Sequence, residues 1–386
     1  MQIQNISFHQ LRIPLRVQFA QANQNTQLSN SVIVRIQTSE GSIGFGECCP
    51  RTYVTGEQVE SVGNCLADWQ QDLPHLQFTT LDAIANWTAA QLQQGKGPAA
   101  VCAIELAMLD AWAWEYQKDL AQELGATKTS AEVQYAGVLP QGNWAKLGPI
   151  VKHLEFSSWK FKAYAELAPN LHRIREMKAL MGTNTPLRMD ANGGWSLALA
   201  REQISKAITQ GVTSFEQPLA PADDEDAGQL VREFGDRASI MADESLCTYA
   251  DAERLIAGGF CNHFSLKLSK NGGLLNTLKI YRLAQANGIP CQLSAHYGET
   301  SILTAAGLLF AMVAPELTAC EGALGTLLLK EDLTSGPLMV DATGKIDAPA
   351  LPFLGWPVAV DQRRLKQYSV YSVKLNEQVL TPAEQV

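Results

Sequence analysis

From about Glu132 onward the chain repeats one pattern eight times: a short β-rich run, then a stretch of helical character. The runs are VQYAGVL, SSWKFKAY, PLRMDANG, TSFEQP, ASIMADES, NHFSLKLS, PCQLSAH and LTACEGALG. The six from PLRMDANG to LTACEGALG each carry a polar residue near the C-terminal end. Lys162, Asp190, Glu216, Asp243 and Lys267 follow one another at intervals of 28, 26, 27 and 24 residues. A strand, a crossover helix and two loops need about this length. One helix is legible directly: Ser196 stands at its N-cap, and Leu197, Ala200, Ile204 and Ile208 mark a buried stripe. Eight strand–helix units close most economically into a parallel TIM-type (β/α) barrel, whose functional residues lie at the C-terminal ends of the strands. The polar residues named above fall there.

The N-terminal part follows another rhythm. SVIVRIQTSEGSIGFGE alternates at period two around a Ser-Glu-Gly turn, which predicts a hairpin or meander. From about Glu57 to Leu124 the pattern is helical, with Ile104, Met108, Ala111 and Trp112 at helical spacing. At 386 residues the chain suggests two domains. The division expected is an α+β domain over 1–127 and a barrel over 128–337. The tail 338–386, strand and loop again in GKIDAPALP and PVAVDQ, is expected to return to the N-terminal domain.

Bulk properties narrow the function classes. The net charge is −9 and the pI about 5.3, with no basic stripe to follow a phosphate backbone, so nucleic acid is not an expected partner. The eight cysteines form no CxxC pair and no metal-finger spacing, as expected of free thiols in a reducing compartment. MQIQNISFHQLRIP lacks the apolar core of a signal peptide. The longest apolar stretch, Ile302 to Ala314, is too short to span a bilayer. A cytoplasmic protein with no membrane association is expected.

Three carboxylates carry the chemistry: Asp190 in RMDANGG, Glu216 in FEQP and Asp243 in MADES. Singly, each could cap the following helix or pair with an arginine. All three at regular strand-end spacing would repel one another unless a cation held them, and all-oxygen ligands suit Mg²⁺. Lys160 and Lys162 in WKFK share one strand face, here the barrel interior, and Lys267 in SLKLSKNGG faces the acids from the other side. As surface residues they would be unremarked; inside a barrel they need partners or work. Lysines close together depress one another's pKa, as a general base near neutral pH requires. Lys270, at an odd offset from Lys267, is expected to point to the other face. The parts compose one scheme, in which a metal holds a substrate carboxylate, a lysine removes the α-proton, and the enediolate is stabilised.

These motifs, in this order over nearly the whole chain, resemble the enolase superfamily in its muconate lactonizing enzyme subgroup (mandelate racemase/muconate lactonizing enzyme-like proteins). EGSIGFGECCPRTYVTGE resembles the capping segment that closes over substrate, and AIELAMLDAWAW the signature helix of that domain. WKFK resembles the subgroup's K-x-K, RMDANGGW, FEQP and MADES its metal-ligand strands, and KLSKNGG its second lysine. The resemblance implies an α/β fold, a modified TIM (β/α) barrel with an N-terminal α+β capping domain. It implies Lys162 and Lys267 as the acid/base pair, Lys160 as support for the intermediate, and Asp190, Glu216 and Asp243 as Mg²⁺ ligands. The reaction expected is racemisation or epimerisation of an N-acyl amino acid, a dipeptide or a related amino-acid derivative, a small carboxylate substrate being the partner. The alternatives are an o-succinylbenzoate synthase-like dehydratase, a muconate-type cycloisomerase, and a non-catalytic enolase-like binding protein. Dipeptide epimerases of the subgroup carry D-x-D near the end of strand eight; LTACEGALG has one acid there, Glu321. The expected substrate contacts are Tyr53, Asn192, His296 and Glu321, with the capping loops near 18–27 and 51–55 choosing the substrate. A homo-oligomer is expected.

Overall fold

The alternating N-terminal runs form strands β1 (Ile3–Leu11), β2 (Pro14–Gln21), β3 (Gln24–Leu28), β4 (Ser31–Thr38) and β5 (Ile43–Cys48). They are followed by helices α1 (Thr52–Thr55), α2 (Val59–Asp72), α3 (Leu81–Gln93), α4 (Pro98–Tyr116) and α5 (Leu120–Glu123). This computed structural model describes residues 1–21, 24–126, 132–142, 144–323, 328–347, 353–374 and 381–382. β1 pairs antiparallel with β4 and β4 with β5, as the Ser-Glu-Gly turn requires.

The barrel opens with β6 (Glu132–Gln134), β7 (Gly137–Leu139) and α6 (Trp144–Val151). It continues as β8 (Trp159–Lys162), α7 (Leu167–Met181), β9 (Leu187–Asp190), α8 (Leu197–Ile208), β10 (Val212–Glu216) and α9 (Asp224–Phe234). It ends as β11 (Ser239–Ala242), α10 (Tyr249–Gly258), β12 (His263–Leu266), α11 (Leu274–Ala286), β13 (Cys291–Leu293), α12 (Ser301–Val313) and β14 (Leu317–Cys320). β7 to β14 form one eight-stranded parallel sheet in sequence order. Its edges meet where Tyr135 bridges Cys320 and the Ala136 N–H donates to the Cys320 carbonyl at 2.8 Å. Each of the eight β-rich runs coincides with one of these strands, β10 starting one residue earlier at Val212. The fold is the expected one, a modified (β/α) barrel beside an N-terminal α+β region. Ser196 caps α8 by accepting from the Leu199 N–H.

The tail divides its strands. β15 (Lys345–Asp347) pairs with β6, not with the N-terminal sheet. After α13 (Gln362–Tyr368), β16 (Ser369–Lys374) does pair with β1, and β17 (Thr381–Pro382) with β16. The GKID run is therefore consumed at the barrel's opening, where the β6 edge offered free ladder groups.

Two features seat the N-terminal region on the barrel. α4 is buried on every face from Ala99 to Ala113 because it lies between β5 and α11, so its apolar spacing marks no single stripe. The close approach relies on Gly44 and Gly46, where a Cβ would meet the carbonyl oxygens of Ala107 and Ala103 at 2.0 and 1.9 Å. Two buried carboxylates also reach across. Glu47 accepts from the Thr300 and Leu303 N–H groups at 2.9 and 3.2 Å, and Glu105 from that of Leu275 at 3.0 Å. Each thus satisfies orphan donors at the N-terminus of a barrel helix, α12 or α11. Burial still pushes both carboxyls up, to about 8.

Candidate active site

Strand register brings the expected residues together. Lys162 pairs in register with Asp190, and Asp190 with Glu216. Asp243 follows β11 directly, and Lys267 follows β12. All are buried, from 0% exposed at Glu216 and Asp243 to 8% at Lys162, so each charge requires a partner.

Lysine hydrogen bonding is unequal. Lys160 Nζ lies 2.8 Å from Glu216 Oε2, 2.6 Å from Glu321 Oε2 and 3.4 Å from Asp190 Oδ2. Lys270 Nζ donates to Asp243 Oδ1 at 2.8 Å and to the carbonyls of Asp243 and Ser265 at 2.7 and 2.8 Å. Lys270 thus has a partner for each of its three N–H groups, and Lys160 is held by a hydrogen bond to Glu216 and by ion pairs with Glu321 and Asp190. Lys162 Nζ has two partners, Asp190 Oδ2 at 2.6 Å and Asn192 Oδ1 at 3.0 Å. Lys267 Nζ is paired with Asp243 Oδ2 alone among the described residues. Lys270 does not point away, as expected of it, but joins the site. The reason is local: β12 ends at Leu266, so strand alternation does not extend to a residue in the following turn.

The electrostatics follow the pairing. Burial opposes ionisation of Asp243, yet Lys267 and Lys270 hold its carboxyl well below the usual range. Burial pushes the Glu216 carboxyl up to about 8, against the pull of Lys160 and with Asp190, Glu321 and Asp243 adding repulsion. Burial disfavours the Lys267 ammonium, but Asp243, Glu216 and Glu244 outweigh it and raise its pKa. The expected depression of a lysine pKa is therefore reversed here, because the acids outweigh the neighbouring lysine.

The three acids were expected to hold a divalent cation. Among the described residues no three His, Cys, Asp or Glu side chains close round a common point, since each acid is turned toward a lysine. The donor set nevertheless fits a hard cation: it is all carboxylate oxygen, buried, on three successive strand ends, with residual repulsion at Glu216.

The loops past these strands are unusual. Asn192 and Gln217 have φ of 46° and 39°, in the left-handed region rare for non-glycine residues. Gln217 Oε1 accepts from the Asp243 and Ser245 N–H groups at 2.9 and 3.1 Å, which fixes the main chain at Asp243. Sequence reasoning missed Gln217, Glu244 and Arg188, although each lies within three residues of a residue it named, and it placed Lys270 on the wrong face.

The substrate-side candidates are scattered. Glu321 does not offer a free carboxylate, because Arg188 Nη2 and Lys160 Nζ occupy it at 2.5 and 2.6 Å. Both Asn192 polar atoms are engaged by protein, Oδ1 by Lys162 and Nδ2 by Glu244 Oε1 at 3.0 Å. His296 is 7% exposed, and neither ring nitrogen has a partner among the described residues. Burial, with Lys267 and Arg51 nearby, holds its imidazole neutral, well below the ordinary pKa. Tyr53 is half-buried on α1, beside Arg51, whose guanidinium donates to the Tyr297 carbonyl at 2.6 Å and lies over the Tyr297 ring. Of the 18–27 loop, residues 22–23 and the side chains up to 26 lie outside the described residues.

Comparison with known proteins gives consistent results. Residues 145–363 match the family described as Enolase C-terminal domain-like. The D-Ala-D/L-Ala epimerase of Cytophaga hutchinsonii is 30% identical over 333 residues, which cover 85% of this chain and 88% of that protein. The N-succinyl-L-Arg/Lys racemase of Bacillus cereus is 24% identical, covering 83% and 87%. The crystal structure of a dipeptide epimerase from Cytophaga hutchinsonii, complexed with Mg and D-Ala-L-Val, matches with a TM-score of 0.87 at 26% identity, covering 97% of this chain and all of that one.

Proposed function

Because this chain belongs to the Enolase C-terminal domain-like family, and is an isomerase of the enolase superfamily by its relatives, we propose that it racemises or epimerises an amino-acid derivative, an N-acyl amino acid or a dipeptide, by moving the proton α to the carboxylate between Lys162 and Lys267. One observation carries the reading. Lys162 ends the second strand of the eight-stranded sheet and Lys267 follows the sixth, so the two face one another across the mouth, with Asp190, Glu216 and Asp243 between. They also have fewer polar partners than Lys160 and Lys270 among the described residues, two and one against three each.

In this scheme Lys162 serves one face of the α-carbon and Lys267 the other, each as base for one enantiomer and acid for its mirror image. Lys160, held among the carboxylates of Glu216, Glu321 and Asp190, acts as a fixed positive charge beside the intermediate. Asp190, Glu216 and Asp243 are the residues that would hold Mg²⁺. When bound, that ion polarises the substrate carboxylate and compensates the acids that keep Lys267 protonated. His296 is the strongest substrate contact: among the described residues neither nitrogen of its buried imidazole has a hydrogen-bond partner, so both can serve a ligand. Glu321, held by two cations, is not assigned to a substrate ammonium, which favours an N-acyl group over a free amine.

The test is a library of N-succinyl and other N-acyl amino acids, dipeptides and muconate-like acids, incubated with the enzyme and Mg²⁺ in deuterated water and read by mass. Deuterium at the α-carbon without dehydration or ring closure is the expected result. Dehydrated or cyclised products in place of exchange would assign a lyase or cycloisomerase instead.

A further inference from the structure

We propose that Asn192 is a positioning residue for Lys162: its amide, clamped by Glu244, sets the direction in which the Lys162 nitrogen presents its exchangeable proton. The inference rests on the assignment of Lys162 as an acid/base residue.

Three contacts define the device. The Asn192 N–H donates to Asp190 Oδ1 at 3.0 Å, its Oδ1 accepts from Lys162 Nζ at 3.0 Å, and its Nδ2 donates to Glu244 Oε1 at 3.0 Å. The amide cannot be reversed. A lysine ammonium only donates and a carboxylate only accepts, so oxygen must face Lys162 and nitrogen must face Glu244. The residue sits at φ 46°, in the left-handed region that few non-glycine residues other than asparagine adopt. Its surroundings are a metal-ligand candidate, a base candidate and a buried glutamate.

The consequence follows from tetrahedral nitrogen. One Lys162 Nζ valence goes to Cε, one N–H to Asp190 Oδ2 and one to Asn192 Oδ1. The fourth valence, proton or lone pair, is then fixed in direction. Remove Asn192 and Nζ has one anchor left, about which it can swing. Lys270 has no free valence to aim, and Lys160 is held among three carboxylates. Lys267 is anchored by Asp243 and follows β12, three strands on from β9, beyond which Asn192 lies.

The experiment uses the full chain, Mg²⁺ and a substrate that the wild-type enzyme exchanges. α-Deuterium incorporation with retained configuration is followed separately from each pure enantiomer, because retained exchange reports one lysine at a time. Asn192→Gly is the variant of choice, since glycine accepts the left-handed backbone, and matched thermal unfolding confirms that it folds. Exchange on the Lys162 face is expected to fall ~10–100-fold, as a misplaced catalytic group does. The fall should lie in kcat with KM nearly unchanged, and exchange on the Lys267 face should stay within about twofold of wild type. Equal loss on both faces would make Asn192 merely structural. A rise in KM at constant kcat would make it a substrate contact. Either result overturns the proposal. Absence of exchange in the wild-type enzyme with every substrate would instead overturn the lysine reading, and this inference with it.

Discussion

Lys160, Lys162, Lys267 and Lys270 are all buried within one barrel mouth, and what separates them is how many N–H groups the protein already occupies. A lysine with three partners is a structural charge, and Lys270 is the clearest case at 0% exposed. Lys270→Met should cost about 3–5 kcal/mol of stability, because it leaves the Asp243 carboxylate and two carbonyls short of a buried donor. Urea denaturation checks this, and a loss below about 1 kcal/mol would contradict it. Much of this scale was legible in the chain. Asp190, Glu216, Asp243, Lys160 and Lys162 could be named because strand alternation and strand-end position fix where a side chain points. Lys270, Glu321 and Asn192 could not be placed, because their partners come from other strands: Asp243, Arg188 and Glu244. No local pattern in the sequence encodes those encounters.

At the scale of elements, short strands with a charged residue at or just past the end made the barrel readable, since each strand of four or five residues delivers Lys162, Asp190, Glu216 or Asp243 to the mouth. α4 was readable as a helix but not in its surroundings. A helix buried on all faces has no polar side to orient it. Its seat on β5 depends on two glycines, and Gly46→Ala is the sharp test. The new Cβ would lie 1.9 Å from the Ala103 carbonyl oxygen, which is helix backbone and cannot swing aside. The sheet and α4 must then separate, and a loss of about 1–3 kcal/mol is expected from chemical denaturation. A stabilised Gly46→Ala variant would show that sheet and helix are not so closely seated. The crossing contacts of Glu47 and Glu105 were equally invisible in sequence, because their partners are main-chain N–H groups on helices more than a hundred residues away.

For the whole molecule, buried acids set the response to pH. Glu47 and Glu105 titrate near 8 and Asp110 near 7 in the folded protein, in each case through burial, against ordinary values of 4.5 and 3.8. Between those values the native state holds more protons than the unfolded chain, so these groups weaken the fold as pH rises from about 4.5 to 8. Asp190, Asp243 and Glu321 act in the opposite sense. Burial opposes their ionisation, but their lysine or arginine partners lower them, and their contribution is lost as pH falls below the ordinary carboxylate range. The urea midpoint of the metal-free protein should therefore rise from pH 8 to about 5 and fall below about 4. A maximum at pH 8 would contradict the burial of those acids. The central claim, that Lys162 and Lys267 serve opposite faces of one α-carbon, is tested most directly by α-deuterium exchange from each pure enantiomer in Lys162→Ala and Lys267→Ala. Each variant is expected to lose net racemisation and to lose exchange from one enantiomer by about 10²–10⁴-fold, while still exchanging the other. If one variant exchanged both enantiomers at the wild-type rate, or if neither lost any exchange, the two-lysine mechanism would be wrong.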